Sequence, residues 1–213
     1  LSLSQGPAHI DRAWKYAKNA NMWRITDDFW DNWPLLENMF HRCELWQDHV
    51  TEGCYPDCDM LPLGYVGKGF GAERVTNFTK EEQRTMLTLW CIFGSPLMLG
   101  AEMTKLDEWT LSLLTNREVL AMLTPDCKAT QICLDKQKSI WKAYNAKNGS
   151  RYVALFNLQD KAAEVSVEVT EAELWADVSL KELWTGEKAL VTGETLSVNL
   201  PAHGCAVYKV DSL

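Results

Sequence analysis

The period of the chain changes once, around Thr124-Pro125-Asp126, and that change limits what each side can become. Upstream, short apolar runs alternate with helical stretches, the pattern of parallel βα units. Residues 1–4, 22–25, 59–63 and 96–99 read as strands. Residues 8–20 show helical spacing at Ile10, Ala13, Trp14 and Ala17, and residues 33–46 at Leu36, Met39, Phe40 and Cys43. Thr79-Lys80-Glu81-Glu82 has the form of a capping box and opens a helix to Phe93; residues 107–122 supply one or two more helices. A glycine-rich loop with Gly64, Gly67, Gly69 and Gly71 joins these parts, without the Lys-Ser/Thr ending of a phosphate loop. Downstream the period falls to two, and turn signals recur at Asn148-Gly149, Asp160-Lys161, Thr185-Gly186 and Thr192-Gly193. Residues 152–157, 164–169, 180–184 and 205–210 read as antiparallel strands. The expected organisation is an α/β unit over residues 1–124 and an antiparallel β-sandwich over residues 125–213.

Composition removes several function classes. The formal net charge is −8 and no basic run stands out, so neither nucleic acid nor an anionic membrane surface is an expected partner. The longest apolar run, residues 89–99, is interrupted by Gly94, Ser95 and Pro96 and is too short to span a bilayer. The seven Cys are odd in number and irregular in spacing, which slightly favours a reducing, cytoplasmic compartment, with a Cys54/Cys58 pair still open. The opening Leu1-Ser2-Leu3-Ser4 reads as a strand already under way, so residues, and any leader, are expected upstream.

Two clusters can carry chemistry. Trp23-Arg24-Ile25-Thr26-Asp27-Asp28-Phe29-Trp30-Asp31 follows an expected strand, at the end where βα barrels place catalytic groups. Carboxylates there suit acid/base or nucleophilic work on a sugar, Arg can orient hydroxyls, and Trp23, Trp30 and Trp33 could offer apolar faces. The same acids would equally suit a solvated helix N-terminus. The second cluster is Asp57-Cys58-Asp59-Met60-Leu61, where carboxylates at i and i+2 face one side of a strand or close an Asx turn. Cys43, His49, Cys54 and Cys58 permit a metal knuckle, though no second tight pair accompanies Cys54 and Cys58. His9, His41, His49 and His203 stand isolated, and no Gly-Xaa-Ser-Xaa-Gly elbow occurs.

Met22-Trp23-Arg24 with Asp28, then Asp57-Cys58-Asp59-Met60-Leu61, then Leu89-Trp90 with Ser95-Pro96-Leu97, then Leu114-Thr115-Asn116-Arg117-Glu118-Val119 resemble, in order, the melibiase family. These are retaining α-galactosidases and α-N-acetylgalactosaminidases of glycoside hydrolase family 27. The resemblance covers residues 1–123 by motif and the remainder by composition. It implies the C-terminal half of a (β/α)8 barrel, with residues 1–4, 22–25, 59–61 and 96–99 as strands five to eight, followed by an antiparallel β-sandwich. It implies Asp28 as general acid/base, Arg24 on sugar hydroxyls, and Asp59 and Met60 lining the sugar pocket. Cys58 stands where the family carries Pro. On the fifth strand the resemblance places Ser4, with Ala8, at the small residues that read the sugar's C2 substituent, or Gln5 one position on, which could hydrogen-bond a hydroxyl there.

The family's nucleophile is an Asp in a Lys-Xaa-Asp motif on an earlier strand, and no such motif is expected in these residues. The implied function is a fragment of a retaining hydrolase for terminal α-galactosides, inactive alone, with no metal or organic cofactor. An α-N-acetylgalactosaminide is the alternative substrate, and a non-catalytic carbohydrate-binding or structural β-domain with a barrel remnant is the alternative class. Half a barrel leaves open sheet edges, so self-association through them is expected.

Overall fold

The computed structural model describes residues 1–66, 72–175 and 177–211. Three short strands, β1 (Ser2–Leu3), β2 (Met22–Arg24) and β3 (Tyr55–Asp57), form a parallel sheet in that order. A 3-10 turn (Ile10–Arg12) and α1 (Ala13–Asn19) return the chain from β1 to β2, and α2 (Trp33–Trp46) returns it from β2 to β3. The hairpin β4 (Tyr65–Val66) and β5 (Arg74–Val75) follows, then α3 (Lys80–Phe93), α4 (Glu108–Leu114) and α5 (Arg117–Leu120). The outer edge of β1 has no strand partner among the described residues. No described helix is long and apolar enough to cross a membrane.

Local sequence explains the two long helices. Asn32 caps α2, accepting the Leu35 N–H at 3.2 Å, and Pro34 lies in the first turn, where its missing N–H is harmless. Leu36, Met39, Phe40, Cys43 and Trp46 then form one buried stripe. The capping box of α3 is present in both directions: Glu82 N–H donates to Thr79 Oγ1, and Thr79 N–H to Glu82 Oε2. Gly94 closes α3 at φ 89°. The second half of α3 is buried all round, because it lies between the parallel sheet's layer and the β-sandwich.

The downstream half consists of β6 (Cys127–Leu134), β7 (Lys138–Asn145), β8 (Arg151–Asn157), β9 (Ala163–Glu168), β10 (Val178–Glu182), β11 (Lys188–Val191), β12 (Thr195–Leu200) and β13 (Cys205–Val210). Six of them form an antiparallel sheet in the order β11-β10-β13-β8-β7-β6, faced by the antiparallel pair β12-β9. Strand alternation gives the large sheet two apolar faces. Trp141, Tyr152, Phe156 and Val207 join the core of α2 and α3, where Phe40 meets Phe156 edge-on at 4.9 Å. Ile140, Val153, Leu155 and Tyr208 pack on Val165, Val167 and Leu196 of the smaller pair. Polar bonds fasten the same interface: Thr85 Oγ1 donates to His203 O at 2.6 Å and Trp184 Nε1 to Thr88 Oγ1 at 2.9 Å. A partial α/β unit followed by an antiparallel sandwich is thus the architecture, as the two periodicities imply.

Several expected elements move. The strand expected at residues 59–63 lies earlier, at Tyr55–Asp57, because Asp59 has φ 73° and cannot continue a ladder. Residues 96–99 form no strand of the sheet; Leu99 makes one isolated parallel bridge to Leu61, beyond the end of β3. Trp14 and Ala17 are exposed, and α1 buries Ala13 and half-buries Tyr16 instead. Of the glycine-rich loop, Gly67, Gly69 and Gly71 lie outside the described residues, and β4 and β5 flank it as an unforeseen hairpin.

Candidate active site

The parallel register places the ends of β1, β2 and β3 on one side, and the chemistry gathers there. Trp23 and Arg24 are neighbours on a strand and so point to opposite faces. Trp23 enters the helix layer, stacked on Tyr16 at 5.7 Å and tilted on Trp46 at 6.0 Å, so it is core rather than a sugar platform. Arg24 turns the other way. Its Nη2 donates to Asp28 Oδ1 at 2.9 Å and lies 3.5 Å from Asp59 Oδ2. Asp28 is exposed, with 76% of its side chain accessible, whereas Arg24 and Asp59 are largely enclosed. One guanidinium therefore collects the two carboxylates from both sequence clusters.

The turn after β3 is shaped for this. Asp57 accepts the Asp59 N–H on Oδ1 at 2.9 Å, an Asx turn that throws Asp59 into the left-handed region. The Asx alternative and the clustering of carboxylates are thus one feature: Asp57 closes the turn, and Asp59 faces Arg24. Asp59 Oδ2 also accepts the Phe29 N–H at 2.8 Å, and its carbonyl accepts Trp90 Nε1 at 3.2 Å. Burial pushes the Asp57 carboxyl up to about 6; the charge of Asp59 adds to this, while the Asp59 N–H and Arg24 oppose it. Cys58 keeps the N–H that a Pro would lack, and donates it to Ser95 Oγ at 3.0 Å.

Met60 packs against Gly100, where a Cβ would come within 2.6 Å of its Sδ. Ser4 lies exposed just past β1, at the same end of the sheet as Arg24. Neither side chain is bonded to the Arg24 group. The segment after Ser4 crosses the site closely: a Cβ on Gly6 would stand 1.8 Å from Thr26 O, so only glycine fits.

Asp31, grouped by sequence with the sugar-binding acids, is instead a buried tether. Both Nη atoms of Arg74 bond it, and it accepts from Thr76 Oγ1 at 3.5 Å and from the Asn77 N–H. It ties the chain around β5 to the loop that carries Asp28. Asp27 is exposed. The metal-knuckle residues do not converge. Cys43 and Cys58 lie buried with sulfurs 3.6 Å apart, but Cys54 turns to Ala17 O and His49 packs on Trp46. Among the described residues no three ligands could hold a metal, and the seven Cys are all free thiols.

His203 is not isolated. It stacks on Trp33 at 3.6 Å, with Nδ1 2.8 Å from Glu82 and Nε2 2.9 Å from Asp160. Trp33 is thereby committed to the contact between the two halves. Lys105-Leu106-Asp107 has the letters of a Lys-Xaa-Asp motif, but Asp107 is the cap of α4, accepting the Thr110 N–H at 2.7 Å.

Residues 8–124 match the family model described as alpha galactosidase A, and residues 135–210 match the alpha galactosidase C-terminal beta sandwich domain. A β-L-arabinopyranosidase of glycoside hydrolase family 27 from Geobacillus stearothermophilus superposes over 100% of this chain and 49% of its own, with TM-score 0.93 and 43% identity. A variant of that enzyme was solved in complex with arabinose. A putative α-N-acetylgalactosaminidase from Bacillus halodurans is 40% identical at TM-score 0.79, over 89% of this chain and 45% of its own. A probable α-galactosidase of Dictyostelium discoideum is 28% identical over 92% of this chain and 50% of its length. The chain spans about half the length of the relatives it matches.

Proposed function

The chain belongs to the melibiase family, glycoside hydrolase family 27, and from that premise we propose that it supplies the acid/base side of a retaining glycosidase site. The observation that carries this is Arg24 holding Asp28 and Asp59 together at the ends of parallel strands. Asp28 is the proposed acid/base because its carboxylate is open to solvent while one oxygen is held by Arg24. In the first step it would protonate the departing glycosidic oxygen, and in the second it would take a proton from the attacking water. The nucleophile, about 5 Å from the acid in retaining enzymes, would come from residues outside this chain. Arg24 and Asp59 would bind ring hydroxyls, with Met60 against the apolar face and Ser4 near C2.

For the substrate we propose a pyranoside of galacto configuration. β-L-Arabinopyranose has the ring stereochemistry of α-D-galactopyranose without the C5 hydroxymethyl group, so one set of hydroxyl contacts serves both. The 43% identity over the whole chain favours the arabinopyranoside, and the breadth of α-galactosidase relatives keeps the galactoside as the second reading. The small Ser4 leaves room for the acetamido group of an α-N-acetylgalactosaminide as a third. The test is kcat/KM of the intact enzyme on aryl glycosides of the three sugars. A preference of about tenfold or more for the arabinopyranoside is expected, the discrimination that one small substituent such as the C5 hydroxymethyl group supports; preference for either other sugar would reassign the substrate.

The unpaired edge of β1 supports a further expectation for this chain in isolation: it should associate with copies of itself. A monodisperse monomer in light scattering, at concentrations where the chain is folded, would refute that.

A further inference from the structure

On the sandwich side, a groove of about 730 Å³ runs between α5, the β7–β8 turn and the ends of β10 and β13. That volume is within the range of small-molecule sites, roughly 300–1,000 Å³. Four cations line it: Arg117, Arg151, Lys181 and Lys209. The two acids there are already engaged. Glu118 binds Lys181 Nζ at 2.6 Å, and Asp211 lies 3.2 Å from both Lys188 Nζ and Ser179 Oγ. The guanidinium of Arg151 lies over the Tyr144 ring and 3.5 Å from Glu173. Among the described residues, the side chains of Arg117 and Lys209 form no ion pair. The groove is therefore locally positive on a chain whose net charge is −8.

One wall carries Trp175, 42% exposed; apart from it and Trp14 the tryptophans are buried or half-buried. An exposed indole offers a flat apolar face to a pyranose ring, and unpaired cations beside it demand an anion in the same ligand. Asn148, exposed on the β7–β8 turn, adds an amide suited to hydroxyls. A polynucleotide fits poorly, because its backbone needs a longer cationic track than four residues on an acidic protein. We infer that this groove is a second carbohydrate site, and that its ligand is an acidic oligosaccharide bearing uronate carboxylates. The assignment stands on the groove alone and does not depend on the proposed substrate of the Arg24 site.

The probe is trigalacturonate, titrated calorimetrically into the intact protein, with its fully methyl-esterified form as the uncharged control. Saturable binding is expected, weakened about tenfold by esterification, since each carboxylate then loses a charge-assisted bond. Trp175→Ala and, separately, Lys209→Glu should each weaken it about tenfold, while unfolding midpoints stay within a degree or two of the parent. Lys209 makes no ion pair, so Lys209→Glu tests the groove even if Trp175→Ala perturbs folding. Absence of binding at millimolar ligand, equal binding of the ester, or binding that survives both variants would overturn the assignment. The last result would place the ligand elsewhere, at the Arg24 site or on unspecific surface charge.

Discussion

Asp28→Asn in the intact enzyme is expected to slow hydrolysis of glycosides with poor leaving groups by about 10²–10⁴-fold, the usual worth of general acid catalysis. Nitrophenyl glycosides should lose far less in the first step, because a good leaving group departs with little protonation. The geometry makes the substitution informative. An amide at residue 28 can still accept the Arg24 Nη2 bond at 2.9 Å through its oxygen, so the pocket's frame is retained and only the proton is removed. The competing candidate is Asp57, buried and with its pKa raised to about 6, a value suited to proton transfer near neutrality. Its Oδ1 is occupied by the Asp59 N–H, a bond that an Asn oxygen keeps, so Asp57→Asn should retain the turn and affect all leaving groups little and alike. Steady-state kinetics on a leaving-group series distinguishes the two. Equal losses across the series for Asp28→Asn would remove it from the acid role, and a leaving-group-dependent loss for Asp57→Asn would transfer the role there.

What the sequence disclosed depended on how locally each feature is encoded. The start of α3 was legible to the residue, because the Thr79–Glu82 box bonds to backbone within three positions, whereas α2 was read from its apolar spacing and its Asn32 cap is added by the structure. The change to strand texture was equally legible, since the near-continuous apolar runs of β8 and β13 report two buried faces directly. β3 was misplaced for a local reason of another kind. Tyr55-Pro56-Asp57 contains a proline, which lowers any strand reading; it is tolerated because β3 has a full ladder on one side only. The run Asp59-Met60-Leu61 looked better by composition, but a φ of 73° at Asp59 breaks it. The three-residue group of Arg24, Asp28 and Asp59 came from motif resemblance, and the physical link between its halves is a single guanidinium that no spacing rule announces.

Contacts between distant segments left no periodic trace. His203 looked isolated because its partners Trp33, Glu82 and Asp160 are far away in sequence and meet it only when the sandwich docks on α2 and α3. The same docking explains why α3 lacks a polar face along its second half. Trp23 was grouped with sugar platforms by proximity in sequence to Arg24, although adjacent strand residues face opposite ways.

The least local feature at the site is also the one whose removal should most change stability. Asp31 is almost wholly buried, and Arg74, at the far end of the hairpin, covers it with two bonds. Burial alone would push the Asp31 carboxyl up, but the Arg74 and Asn77 bonds outweigh it and hold the group below its ordinary value. A folded-state pKa below the unfolded one stabilises the fold at pH above the ordinary carboxylate range, and that contribution is lost as pH falls through the folded value. Arg74→Ala leaves the carboxylate buried with only the Asn77 N–H and the Thr76 hydroxyl. Breaking a buried pair from one side costs about 3–5 kcal/mol. Arg74 is about one-third exposed, so water can partly replace it, and a loss of about 2 kcal/mol at pH 7 is expected. Without Arg74 the Asp31 pKa rises, so the variant loses its remaining carboxylate contribution at a higher pH than the parent. By about pH 3, where a carboxylate without a partner is protonated, the stability gap should narrow. Urea unfolding of both proteins at pH 7 and at low pH measures this, with hydrogen exchange at the Asn77 amide as the local readout. A gap that stays constant with pH would mean that Arg74 acts through packing alone, and the tether between Asp31 and the β5 segment would then not be electrostatic.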